Sequence, residues 1–265
     1  MCAGEWARYH LLVRLLLLSD IHANLAALEA VLGDAERQVY DRVVCLGDVL
    51  GYGPQPREVL ARLRDLNARC ILGNHDLWAL QLARGANRQA QDNVVMQVLH
   101  WQLQRLSSAD LNGLAAWPEV HDEELGGFTV RFRHGSPLSL LAYVSSLARA
   151  REAFAAWEGQ VCFVGHTHLP GVYATVDAPP GEWVKHQSLS AGGRFLWAPR
   201  ARLILNPGSV GQPRDGNPQA SYGLFDIEQH TFEVFRVPYD VGFTQAALRS
   251  AGLPASLGAR LAVGE

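Results

Sequence analysis

Five short polar clusters each close an apolar run in this chain. Asp20 and His22 follow "VRLLLLS", Asp48 follows "RVVCLG", and Asn74, His75 and Asp76 follow "ARCILG". His134 follows "FTVRFR", and His166 and His168 follow "QVCFVG". Singly, each has a plain structural reading: Asp20 or Asp48 can cap a helix, and a histidine at a strand end can be a satisfied polar group. Together they offer two carboxylates, one amide and several imidazoles at equivalent points, close to the ligand set of two divalent ions. Two ions about 3.5–4 Å apart need a bridging anion, a role that suits Asp48. The neutral amide of Asn74 would leave one ion more electrophilic. A mixed nitrogen and oxygen set favours Mn, Fe, Co, Ni or Zn over Mg or Ca alone, with Mn the first expectation.

For these residues to meet, the elements before them must end at one edge. "VRLLLLSDIHAN" precedes "LAALEAVLGDAERQ", "DRVVCLGDVLGYGPQP" precedes "REVLARLRDLN", and "ARCILGNHD" precedes "LWALQLARG". Each pair reads as an apolar strand, a polar turn and a helix with apolar residues at helical spacing. Asp20, Asp48 and Asn74 are 28 and 26 residues apart, about one βαβ unit of roughly 30 residues. This predicts three parallel strands with every cluster at a C-terminal end, the edge where open α/β sheets bind ligands. Downstream, 87–117 reads as helical, "GFTVRFRHGSP" as a strand, 138–158 as one or two helices, and "QVCFVGHTHLP" as a strand. Residues 171–205 read as short strands and turns, "SYGLFDIEQHTFEVFRVPYD" as a hairpin turning near 228–230, and about 241–251 as a terminal helix.

Composition excludes several classes. The 265 residues are 48% hydrophobic, enough for one large domain over 1–265 with 1–11 as an N-terminal extension. Twenty-three basic against 26 acidic residues, net −3, lack the footprint of a nucleic-acid binder. "LLVRLLLL" is too short to span a bilayer, Arg14 interrupts it, and no small-residue cleavage site follows. No membrane partner is therefore expected, and oligomerisation is left open. Cys2, Cys45, Cys70 and Cys162 are scattered without a C-x-x-C pair, which reads as free thiols in a reducing cytoplasm.

The ordered motifs "DIH", "GDV", "GNHD", "HG" and "GHTH", from residue 20 to residue 168, resemble those of the calcineurin-like metallophosphoesterase superfamily. "LNPGSVGQPRD" (205–215) is similar to the closing motif of its bacterial branch of small phosphodiesterases and diadenosine-tetraphosphatase-like proteins. The resemblance implies an α/β fold, a four-layer α/β/β/α sandwich of two mixed sheets flanked by helices. It implies that Asp20, His22 and His168 bind a first metal, that Asn74, His134 and His166 bind a second, and that Asp48 bridges them. It implies His75 as general acid near the leaving oxygen, with Asp76 orienting it by a hydrogen bond. The implied reaction is in-line attack of an ion-activated water on phosphorus, with the ions stabilising charge on the phosphoryl oxygens.

The expected substrate is a small phosphate ester of nucleotide type, cleaved as a phosphodiester or pyrophosphate. "GDVLGYGPQP" replaces the arginine-containing motif that protein phosphatases of the superfamily carry after "GD". That disfavours a protein phosphatase and leaves small phosphomonoesters as an alternative. A non-catalytic scaffold is the alternative of another class, disfavoured because every ligand position and His75 are filled. Asn24 could contact phosphate or cap the next helix. Tyr52 could stack on a base or pack a glycine-rich turn. Arg214 could grip phosphate bidentately or pair with Asp215. Asn206 and Ser209 read as turn residues near the metals, and Trp101 and Trp117 as core.

Overall fold

The computed structural model describes residues 13–86, 94–176 and 183–265, so the expected extension at 1–11 lies outside it. Strand β1 (Arg14–Leu18) is apolar on both faces: Leu15 and Leu17 enter one core, Leu16 and Leu18 another. Helix α1 (Leu25–Ala35) carries the chain to β2 (Arg42–Cys45), and α2 (Pro56–Asp65) carries it to β3 (Arg69–Cys70). The three strands pair in parallel, as the spacing predicted. Helices α3 (Asn74–Ala83), α4 (Val94–Leu103) and α5 (Ser108–Ala115) follow. Next come β4 (Val120–Leu125), β5 (Phe128–Arg133), α6 (Leu147–Ala155), β6 (Val161–Phe163) and β7 (Gly171–Thr175). The chain continues with β8 (Lys185–Ser188), β9 (Gly193–Leu196), β10 (Arg202–Asn206), β11 (Ala220–Asp226), β12 (Thr231–Val237), α7 (Val241–Ser250) and α8 (Ala255–Val263).

The described residues form two six-stranded sheets, ordered β3-β2-β1-β11-β12-β9 and β4-β5-β6-β10-β7-β8. Both are mixed: β11 runs antiparallel to β1, and β7 antiparallel to β10. Leu15, Leu17, Val44 and Phe225 of the first sheet interleave with Phe132, Phe163 and Leu205 of the second. On the outer face of the first sheet, Leu16, Leu18 and Cys45 pack on Leu28, Val31 and Val59 of the helices. On the outer face of the second, Cys162, Val164 and Ile204 pack on Ala150 and Phe154 of α6. Two sheets sharing a core, each covered by helices, make the expected four layers.

The structure departs from the sequence expectations in four places. Helix α3 begins at Asn74, not Leu77, so the polar cluster is its first turn. The helical stretch breaks between Leu103 and Ser108, and residues 87–93 lie outside the described ones. Residues 138–146 form turns, leaving α6 as the one helix of 138–158. Strand β4 and helix α8 were not anticipated. "VHDEEL" is an edge strand held by cross-strand contacts such as Arg133 to Asp122 at 2.7 Å, a tertiary feature that charge patterning hides. Helix α8 is short, contains a glycine and is held by packing on α7.

Candidate metal centre

The C-terminal ends of β1, β2 and β3 in one sheet and of β5 and β6 in the other converge on one buried cluster. The backbone there is unusual. Asp20, His22, Asp48, His166 and His168 all hold positive φ, between 48° and 63°. Non-glycine residues accept that conformation only where their surroundings over-determine it, which happens at functional sites. The turns are fixed by main-chain bonds from Asp20 N–H to Gly47 O (3.0 Å) and from His22 N–H to Asp48 O (2.9 Å). Gly73 is required by close approach, because a Cβ there would collide with the carboxylate and amide nitrogen of Asp48.

All seven predicted ligands are buried. The Nδ1–H groups of His22 and His134 donate to the carbonyls of Leu50 and Leu46, each at 2.8 Å, and that of His168 donates to the carbonyl of Gln212. These bonds fix the tautomer and leave three Nε2 lone pairs facing inward. His22 Nε2 and His168 Nε2 stand 3.3 Å apart, and Asp20 Oδ1 lies 3.1 Å from His168 Nε2. His134 Nε2 lies 3.1 Å from Asn74 Oδ1 and 3.3 Å from Asp48 Oδ2. Lone pairs this close repel unless a cation or a proton lies between them. Asp20 Oδ1 is also buried without a hydrogen-bond partner. Three groups bring their ligand atoms within 4.8 Å of one another: Asp20, His22 and His168; Asp48, His134 and His166; and His22, Asp48 and His75. Each could hold a divalent ion, and Asp48 belongs to two of them.

The electrostatics agree. Burial opposes the charge of Asp20 and Asp48, yet His168 beside the first and His134 beside the second hold both carboxyls well below the usual range. Burial pushes His22 well down, and brings His75 and His166 to about 4. His134 is the exception: burial would lower it, but the adjacent charge of Asp48 lifts it to about 9. In the metal-free protein a proton on His134 occupies the role a cation would take.

Two sequence assignments need correction. Asp76 does not orient His75. As the third residue of α3, it folds back and accepts from the N–H groups of Gly73 (3.0 Å), Leu50 (2.9 Å) and Val49 (3.3 Å). It ties β2 and β3 together behind the centre, and burial with the nearby charge of Asp48 raises it to about 7. His75 Nδ1 is left buried without a hydrogen bond, and its Nε2 lies 3.9 Å from Asp48 Oδ2. Asn24 is the second correction. It caps α1, accepting from Ala27 N–H (3.3 Å) and Thr244 Oγ1 (3.0 Å) and donating to Gly211 O (2.9 Å) and Tyr239 Oη (3.2 Å). Both amide protons are used, so none remains for phosphate.

Tyr52 and Arg214 do reach the site. The Tyr52 ring lies 4.6 Å from that of His22 and 4.8 Å from that of His75. Arg214 donates to Gln212 Oε1 (2.9 Å), whereas Asp215 is occupied by Arg236 (2.9 Å), so of the two readings of Arg214 the pairing with Asp215 is not formed. The sequence reading missed Gln212, although it lies inside the quoted "NPGSVGQPRD". It also missed Tyr143, 46% exposed, whose ring stacks on His166 at 4.2 Å. Nothing in its local pattern marks Tyr143.

Residues 13–230 match the calcineurin-like phosphoesterase superfamily domain, and the chain belongs to that family. The metal-dependent phosphoester hydrolase expected from the motifs stands with it. A metallophosphoesterase from Sphaerobacter thermophilus has 38% identity and a TM-score of 0.81, over 96% of this chain and 100% of its own. An uncharacterized protein of Methanocaldococcus jannaschii is 32% identical over 93% of this chain and 96% of its own. The phosphodiesterase YfcE of Escherichia coli K12 is 28% identical over 81% and 88%. A symmetrical bis(5'-nucleosyl)-tetraphosphatase of Paracidovorax citrulli is 30% identical over 54% and 51%. No described helix is long and apolar enough to cross a membrane.

Proposed function

We propose that the chain is a dinuclear metal-dependent phosphoesterase that cleaves nucleotide-type phosphodiesters or pyrophosphates. One observation carries this reading: inward-facing lone pairs of His22, His134 and His168 converge with Asp20, Asp48 and Asn74. Asp20, His22 and His168 would hold one ion, Asn74, His134 and His166 the other, and Asp48 both. Bound ions, manganese first among the candidates, would acidify a water and neutralise charge on the phosphoryl oxygens. His75 turns Nε2 toward the centre, 3.9 Å from Asp48 Oδ2, and would protonate the leaving oxygen. Tyr52 and Arg214 line the rim on the same side as His75. The tetraphosphatase relative's name supports a nucleotide-type substrate, and the phosphodiesterase relative's name supports a diester. Both sheets bear on this one centre, which supports a single domain. Free, buried Cys45, Cys70 and Cys162 support a reducing, cytoplasmic setting.

The test is hydrolysis of bis-p-nitrophenyl phosphate and p-nitrophenyl phosphate by metal-stripped protein with Mn added back. Mn-dependent cleavage favouring the diester is expected. A preference for the monoester would overturn the diester assignment, and inertness toward both with two metals bound would favour a scaffold.

A further inference from the structure

Three stretches far apart in sequence meet beside His75. Tyr52, already in contact with the His22 and His75 rings, has two guanidiniums against its own ring. The Cζ atoms of Arg214 and Arg260 lie 5.7 and 5.9 Å from its centre. Arg260 comes from α8, the helix that packs with α7 against Tyr52. Among the described residues neither arginine pairs with a side-chain carboxylate. Arg214 donates to Gln212 Oε1 (2.9 Å) and Tyr52 Oη (3.4 Å), and Arg260 donates through Nε to a main-chain carboxylate oxygen of Glu265 (3.1 Å). Each guanidinium gains from the ring face, and the positive charge they gather there makes the spot receptive to an anion.

Gln212 is the independent sign that an acceptor belongs there. It is 1% exposed, and its Nε2 has no hydrogen-bond partner. Its orientation is fixed, because Oε1 receives Arg214 and the main-chain oxygen receives His168 Nδ1. The NH₂ group is thus held as a donor on the residue whose carbonyl receives His168. A buried donor left unmade is costly, so an oxygen-rich ligand at this spot would relieve it.

We propose that Gln212, Arg214 and Arg260, gathered around Tyr52, form a second anion subsite on the His75 side of the metal centre. It takes a phosphate on the leaving side of the scissile bond, which makes the favoured substrate a phosphoanhydride. The direction of the bond rests on the phosphoesterase reading above. In the reaction, the oxygen of water bonds to the attacked phosphorus and the bridging P–O bond breaks. The bridging oxygen leaves with its electron pair on the second phosphate, and the water's proton passes to solvent. The subsite holds the charge that this leaving phosphate carries. A simple aryl diester leaves as an aryloxide with no phosphate oxygens to fill the subsite, so it gains less from it.

The experiment has two arms on wild type, Arg214→Gln, Arg260→Gln and Arg260→Lys. Calorimetry measures binding of tripolyphosphate to metal-free protein. Steady-state kinetics with Mn measures kcat/KM for diadenosine tetraphosphate relative to bis-p-nitrophenyl phosphate. Both glutamine variants are expected to weaken tripolyphosphate about tenfold or more and to lower the kinetic ratio about tenfold or more, with Arg260→Lys recovering most of each. Tripolyphosphate affinity within about twofold of wild type in both glutamine variants would overturn the subsite, as would an unchanged ratio. Arginine-dependent binding with no cleavage of either ester by wild type would retain the subsite and sink the phosphoesterase reading. Cleavage of both esters with arginine-independent binding would do the reverse.

Discussion

Metal loading of this centre should displace one proton, and that proton should come from His134. In the metal-free protein His22, His75 and His166 are pushed down by burial, while Asp48 holds His134 up at about 9. At pH 7.5 His134 is then almost wholly protonated, and an ion bound between Asp48 and Asn74 must expel that proton. Apparent affinity should rise about tenfold per pH unit from 7 to 9 and level off above. The gap between 9 and the ordinary 6.5 is about 2.5 pH units, or ~3 kcal/mol. Because His134 is raised in the folded state, it stabilises the metal-free protein fully below about 6.5, and that contribution is lost as pH rises through about 9. Asp48→Asn removes the charge that sustains this, so burial lowers His134 and proton release should vanish along with tight binding. Calorimetric titration with Mn in buffers of different ionisation enthalpy counts the protons directly. Release near one per protein at pH 7.5, abolished in Asp48→Asn, is the expected result. Binding heats that do not depend on the buffer in the wild type would refute the assignment.

Three further outcomes follow from the geometry. His75→Ala should keep its metal content, by elemental analysis, yet lose about 10²–10⁴ in rate, most on aryl diesters with poor leaving groups; equal losses across leaving groups would remove His75 as the acid. Asp76→Ala strands three backbone N–H groups and should cost ~3 kcal/mol in urea denaturation at pH 6. Because the carboxyl is raised from 3.8 to about 7 in the folded state, that cost should be largest below about pH 4, fall as pH rises to about 7 and level off above. Gly73→Ala pushes a methyl group into Asp48 and should weaken metal binding about tenfold or more in a fluorescence or calorimetric titration, whereas a Cβ at Gly33 meets nothing within 4 Å and should be silent.

Much of this protein can be read along the chain because its signals are local. Apolar runs ending in Asp20, Asp48 and Asn74 at βαβ spacing specify parallel strands whose ends share an edge, and the metal-ligand types lie there in plain view. Other features exist only in the folded molecule. The second sheet brings His134, His166 and His168 from across the core, and backbone positions with φ between 48° and 63° aim five of the proposed ligands. Asp76 looked like a partner for its neighbour His75, but the helix starts one turn earlier than the apolar pattern implied and turns its carboxylate onto main-chain amides. Asn24 was spent in the same way by Gly211, Tyr239 and Thr244. Strand β4, helix α8 and with it Arg260 gain their stability from packing, which no window of sequence contains. Residue types and spacing determined which chemistry was available. Long-range hydrogen bonds and contacts decided which side chains were free to perform it, because a buried polar group serves whichever partner the fold brings to it first.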